Sequence, residues 1–203
     1  MSTSPARTEF PTVAGHPALD LVDTVHWRLD ADRSTDTLGS YDDVIAWCEQ
    51  FGLLACDPQQ LRRLAASAPK AAALEYTAVI ELREAIYSAI FESSAKAAGV
   101  IAREYISALD RSSLVRAADG ATWSWRTPAD LSGPRAAVAE IAHALILSDL
   151  SGARQCGDDA CGWVYLDTSP RHNRVWCTSA GCGNRNRVAR HQAKRKPTKS
   201  LDH

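Results

Sequence analysis

Four cysteines near the end of the chain, Cys156, Cys161, Cys177 and Cys182, limit its fold more than any other feature. They read C-x4-C, fifteen intervening residues, then C-x4-C-G-N-R. Each pair can fold back as a short knuckle and offer two thiolates to one ion. Four thiolates complete a tetrahedral shell and favour Zn²⁺ as a structural ion, leaving no open position for chemistry. So small a unit buries too little surface to fold alone, so the ion is expected to supply folding energy and a chelator to melt this end first. Six cysteines can also mark a disulfide scaffold. Here Cys48 and Cys56 stand apart in helical-looking sequence while the other four cluster, which favours metal. The chain shows no signal-peptide core and no apolar run of membrane-spanning length. The expectation is therefore a cytoplasmic protein with no membrane partner, in a compartment where disulfides persist poorly.

Charge is divided unevenly. The formal net charge is −1, yet the chain through Ala153 carries 13 Lys+Arg and 20 Asp+Glu, a net −7. From Arg154 onward 10 Lys+Arg face 4 Asp+Glu, a net +6. An acidic body thus carries a basic end tied to a metal site, and the default partner of such an end is a polyanion.

The body, residues 1–152, reads as mostly helical with a small β element, after a loose start over residues 1–12. Ser40 or Asp42 caps a helix closed by Gly52, and Asp57-Pro58 opens the next. Leu74, Val79, Leu82, Ile86 and Ile90 mark the buried face of a long helix from Lys70 to about Ala98, ended by Gly99. A shorter helix follows over Ile101 to Asp110. Leu114-Val115-Arg116 and Trp123-Ser124-Trp125 flank Asp119-Gly120 as a hairpin, and Pro134 leads a last helix to Leu150. Asp20 and Asp23 either fix a turn by accepting backbone N–H groups or line a pocket. With Trp27, Trp123 and Trp125 they form the candidate ligand pocket, core packing being the alternative for the tryptophans. The body lacks a Gly-rich phosphate loop, G-x-S-x-G and H-E-x-x-H, so no catalytic residue is assigned and an enzyme is not expected.

In residues 153–203, Trp163 to Leu166 reads as a strand, Asp167 to Pro170 as a turn, and Asn173 to Trp176 as a returning strand. Asn184 to about Arg195 reads as a helix with Cys182 at its start. Knuckle, hairpin and helix give an α+β chain ending in a treble-clef-like finger. Helical spacing puts Arg187, Arg190 and Lys194 on one face, suited to a DNA major groove. With Arg171 and Arg174 of the hairpin turn, and Arg185 and Arg195 of the helix, they make the candidate nucleic-acid surface. Part of this charge offsets the thiolates, a role expected of Arg185. Both C-x4-C pairs already fill four positions, which leaves His172 and His191 outside the ligand set. Trp163 and Trp176 flank ligands and are expected to cover the ion.

The run from Cys156 through Cys161-Gly-Trp-Val-Tyr-Leu-Asp-Thr-Ser to Trp176-Cys177 and Cys182-Gly183-Asn184-Arg185 resembles the CGNR zinc-finger family. The segment Gly15 to Thr24, with Leu19-Asp20-Leu21-Val22-Asp23-Thr24, is similar to the opening of the N-terminal domain described as a Putative stress-induced transcription regulator. Asp23 stands where that family usually has Asn, and Arg174-Val175 where it often has two arginines. The resemblance implies a bacterial transcription regulator whose finger holds zinc and binds double-stranded DNA. The body would sense a small-molecule effector or assemble a homodimer. A zinc-stabilised protein-interaction or RNA-binding protein is the alternative.

Overall fold

The computed structural model describes residues 9–117 and 119–195. Seven helices and three two-stranded antiparallel sheets are present among them. The fold class is as read from the sequence, a mostly helical body with small β elements and a C-terminal four-cysteine cluster of zinc-finger type.

Helix α1 (Pro17–Val22) is short and sits in the middle of the molecule, with Ala18 to Val22 all buried. His16 starts it, its Nδ1 accepting the Ala18 N–H at 3.1 Å, and Pro17 gives up no needed donor at the first position. Strands β1 (Val25–His26) and β2 (Thr35–Asp36) pair just beyond it. Helix α2 (Tyr41–Gln50) opens with a reciprocal cap. Ser40 Oγ accepts the Asp43 N–H, and Asp43 reaches back to the Gly39 N–H at 3.0 Å. Helix α3 (Pro58–Ser67) has Asp57 as its cap.

Helices α4 (Pro69–Phe91) and α5 (Ala95–Arg111) replace the single long helix expected to end at Gly99. The break comes earlier because Ser93 takes a left-handed conformation (φ 53°) and Ser94 Oγ accepts the Ala97 N–H to cap α5. Gly99 lies inside α5. Val79, Leu82 and Ile86 form the buried face of α4, while Leu74 is exposed. Strands β3 (Ser113–Arg116) and β4 (Trp123–Arg126) form the expected hairpin, pairing Leu114 with Trp125 and Arg116 with Trp123. Helix α6 (Gly133–Ile146) packs against α4 and α5, and α1 lies across α4 and α6.

Residues 1–8 of the start expected to be loose lie outside the described residues. Phe10 is buried, and its backbone N–H and C=O both bond the Gln50 side chain at 2.9 Å. Strand β5 (Ala153–Gln155) pairs with β6 (Val164–Leu166), and a π-helical turn (Ser179–Gly183) leads into α7 (Asn184–Arg195). The expected partner of β6, Asn173 to Trp176, is not a strand. The Arg174 N–H goes to Asp167 Oδ2, and His172 is left-handed (φ 44°), so the segment follows side-chain contacts rather than a ladder.

Candidate metal centre and nucleic-acid interface

Pairing of Gln155 with Val164 makes the first cysteine pair the end of a β-hairpin. The Cys156 N–H continues the ladder by donating to Trp163 O at 2.7 Å, and the Cys161 N–H turns back to Asp158 O. The second pair sits on the π-helical turn, where Thr178 Oγ1 accepts the Gly181 N–H. All four sulfurs are buried and lie within 4.8 Å of one another, with Cys161 and Cys177 at 3.7 Å and Cys177 and Cys182 at 3.4 Å. Sulfurs set tetrahedrally around Zn²⁺ at about 2.3 Å stand about 3.8 Å apart, so this set fits a metal ion of that size. None of the cysteines is in a disulfide.

Hydrogen bonds from Cys161 and Cys177 pull the Cys156 thiol well below the usual thiol range. Its contact with Cys156 pushes Cys161 up, and a divalent cation would displace the protons held there. The surroundings already carry compensating donors. The Cys177 N–H points at Cys156 Sγ (3.4 Å), and Arg185 Nη2 lies 2.9 Å from Cys182 Sγ.

Asp158 was not legible as functional. It is 7% exposed and accepts both Arg185 (Nε 3.1 Å, Nη2 2.9 Å) and the Asn186 amide (2.6 Å), clamping the start of α7 to the first knuckle. The one available signal was the acidic pair Asp158-Asp159 inside a C-x4-C knuckle of a basic module.

The finger is seated on the body. Asp23, fully buried, accepts the Val164 N–H at 2.8 Å, and Leu166 donates to Ala14 O at 2.8 Å. Asp20, 4% exposed, accepts the Ala14 N–H at 2.9 Å. The Arg28 N–H donates to Cys161 O, and its guanidinium pairs with Glu84 of α4. Burial pushes the Asp23 carboxyl well above the usual range and raises Asp20 too, against the pull of their N–H partners. Asp23 thus bonds directly across the seam between body and finger, and Asp20 braces Ala14, whose carbonyl takes the Leu166 N–H.

The other candidate-pocket residues separate. Trp27, left-handed at φ 55°, has Arg33 3.4 Å and Arg185 4.3 Å from its ring, and borders a cavity of about 200 Å³ with Trp163, Cys161, Cys177 and Cys182. Trp123 and Trp125 are 62% and 50% exposed on β4, and Trp125 borders a different cavity. The five do not line one pocket.

The candidate nucleic-acid residues also divide. Arg174 is spent internally: it donates to Val13 O, Trp176 O and Cys177 O and stacks 3.9 Å over Tyr165. Arg185 serves Asp158 and Cys182. Arg171 is exposed with no hydrogen bond or ion pair among the described residues. Arg187 and Arg190 are exposed on α7 and border a cavity of about 280 Å³ with Trp176, Gly183 and His191. Lys194 and Arg195 belong to the last turn of α7, and their side chains lie outside the described residues.

No helix among the described residues is long and apolar enough to cross a membrane. No curated protein matches the chain. Residues 153–195 match the CGNR zinc finger, and residues 15–152, more than half the chain, match the ABATE domain, described as a Putative stress-induced transcription regulator. Both are non-catalytic modules, so the reading as a regulatory protein rather than an enzyme stands on them. The chain belongs to the ABATE family and carries a CGNR zinc finger at its C-terminal end.

Proposed function

We propose that this protein is a zinc-dependent, DNA-binding transcription regulator of the cytoplasm. Cys156, Cys161, Cys177 and Cys182 hold a structural Zn²⁺, and the ion fixes the direction in which α7 leaves the finger. Helix α7 then lays Arg187 and Arg190 against duplex DNA, with Arg171 on an adjacent phosphate. The body senses a ligand or assembles a second copy.

One observation carries the reading. Residues 187–193 of α7 are all exposed, and neither Arg187 nor Arg190 has a carboxylate partner among the described residues. A helix with no buried face is poorly supported by packing, and twelve residues are marginal in isolation. Among the described residues its hydrogen bonds to the first knuckle come at its start, through Asp158, and further along Arg190 stands 5.8 Å over the Trp176 ring. Such a helix is built to meet a partner, and its cations select a polyanion. At about 1.5 Å per residue it spans about 18 Å, and its width suits the major groove.

Single-stranded RNA is the second reading, favoured by Trp176, which lies beside Arg187, Arg190 and His191 and offers a stacking face. The test is the Arg187→Ala/Arg190→Ala double variant, titrated against labelled duplex and single-stranded RNA while its bound zinc is quantified. Duplex affinity is expected to fall at least about tenfold and the log–log salt slope to shrink by about two, with zinc unchanged. Unaltered duplex binding would sink the assignment of α7.

A further inference from the structure

Trp27 opens the β1–β2 turn in a left-handed conformation, at φ 55°. That geometry is costly for a bulky residue and persists only where the surroundings hold it. The turn does part of the holding. The Trp27 carbonyl accepts the Asp30 N–H at 2.9 Å, and the next N–H, that of Arg28, donates to Cys161 O at 3.0 Å. The indole does the rest. Arg33 of the body stands 3.4 Å, and Arg185 of the finger 4.3 Å, from its centre. Two guanidiniums so close to one ring would overlap if they shared a face, so they take opposite faces. Trp27 is thus stacked between a cation of the body and a cation of the finger.

Arg185 joins this stack to the cysteine cluster. Its Nη2 lies 2.9 Å from Cys182 Sγ, and its Nε and Nη2 both reach Asp158 Oδ2, at 3.1 and 2.9 Å. Those bonds lie along the edge of the planar guanidinium and leave it free to pivot about the side it shares with Asp158. The indole lies against the plane itself and fixes that pivot. The direction of the N–H toward Cys182 therefore depends on a ring supplied by the body. Arg33, on the far face of the ring, has no hydrogen bond, ion pair or ring contact with the finger among the described residues; its ion-pair partner is Asp30, at 3.7 Å. Partners of metal-binding side chains commonly carry about 10–100-fold in metal affinity.

We propose that Trp27 is a positioning residue for the metal centre. It holds the Arg185 guanidinium on Cys182 and Asp158, and through it the β1–β2 turn of the body sets how tightly the finger keeps Zn²⁺. The same guanidinium clamps the start of α7, so a displacement of the turn is felt at the ion and at the helix without any new contact to a cysteine. The inference rests on the zinc-binding half of the proposed function and not on its DNA-binding half.

The test is zinc affinity by chelator competition on the full-length protein. Wild type is compared with Trp27→Asn, Trp27→Phe, Arg33→Ala, Arg185→Ala and the Trp27→Asn/Arg185→Ala double variant. Asparagine tolerates the left-handed conformation but offers no ring, whereas phenylalanine keeps one. Trp27→Asn should weaken zinc binding about three- to tenfold and Arg185→Ala about tenfold or more, while Trp27→Phe retains most of the wild-type affinity. Arg33 is exposed, so Arg33→Ala leaves the fold in place, and it should weaken zinc binding about two- to threefold from a site that touches no part of the finger. With Arg185 already removed, Trp27→Asn should have no further effect, because the ring acts through that guanidinium. Losses that multiply in the double variant would overturn the proposal, as would wild-type affinity in both Trp27→Asn and Arg33→Ala. A wild-type protein that takes up no zinc would overturn the metal reading and this inference with it. Stoichiometric zinc with multiplying losses would overturn this inference alone.

Discussion

Gly162 follows a candidate metal ligand and lies against the body, and replacing it with alanine tests the seam quantitatively. Its φ is +68°, a left-handed conformation costing a side-chain-bearing residue about 1–2 kcal/mol. An added Cβ would stand 2.7 Å from Arg28 Cβ and 3.0 Å from Leu29 Cγ. Arg28 has little room to retreat. Its N–H is bonded to Cys161 O, its guanidinium bonds Glu84 and Val22 O, and it stacks 4.7 Å over Tyr87. Overlap between such fixed groups adds about 1–3 kcal/mol. Gly52 is the internal control, because it has φ +66° and nothing within 4 Å of its added Cβ. Urea denaturation of zinc-loaded protein should therefore give about 1–2 kcal/mol for Gly52→Ala and about 2–5 kcal/mol for Gly162→Ala. Part of the second cost should reappear as weaker zinc binding in a chelator competition, about tenfold for each 1.4 kcal/mol that falls on the finger. If the two variants agree within about 0.5 kcal/mol, the finger is not held rigidly against Arg28 and the seam argument fails.

Other perturbations address the same structure. Asp23→Ala strands the buried Val164 N–H and should cost about 1–3 kcal/mol by urea denaturation, whereas Asp23→Asn keeps an acceptor, removes a buried charge and should cost less or stabilise. His16 must be neutral to accept the Ala18 N–H, and burial lowers its pKa in the folded state. Its contribution is therefore complete above the unfolded value of 6.5 and is lost as pH falls through the lower folded value. His16→Asn, a cap that does not titrate, should lose less stability between about pH 7 and pH 5 in thermal melts; His26, also lowered by burial, leaves a residual slope. Chelation should destabilise body and finger together in one calorimetric transition, rather than melt the finger first as the small size of that unit suggested, because the four cysteines share a continuous core with α1 and α4; an unchanged body melt would contradict that. Helix α7 should gain far-UV helicity on binding duplex DNA, and the Arg187→Ala/Arg190→Ala variant should not.

Local patterns carried most of what was readable in the sequence. The cysteine spacing, the Asp57-Pro58 start and the Asp119-Gly120 hairpin each depend on neighbours within a few residues, and each appears where expected. The α4–α5 break was missed because Ser93-Ser94 is a weaker breaker on paper than Gly99, yet a left-handed residue followed by a side-chain cap ends a helix more firmly than a glycine inside one. Strand β5 was missed because Ala153-Arg154-Gln155 has no apolar alternation; its pairing comes from the knuckle that follows it. The largest gap was long-range. Asp23 meets Val164 across 141 positions, and Arg174 meets Val13 across 161. No window along the chain contains such a pair, so a carboxylate of the seam resembled a pocket residue and a structural arginine resembled a phosphate contact.

The account turns on whether a metal-held finger presents α7 to duplex DNA. The most direct measurement is the affinity of zinc-loaded protein for fragments of double-stranded DNA across a salt series, repeated after chelation and against single-stranded RNA. The account predicts duplex binding that falls with salt at a log–log slope of about −0.9 for each phosphate neutralised, and that disappears when the metal is removed. Duplex binding that ignores salt or survives complete removal of zinc would contradict it, as would tighter binding to the RNA.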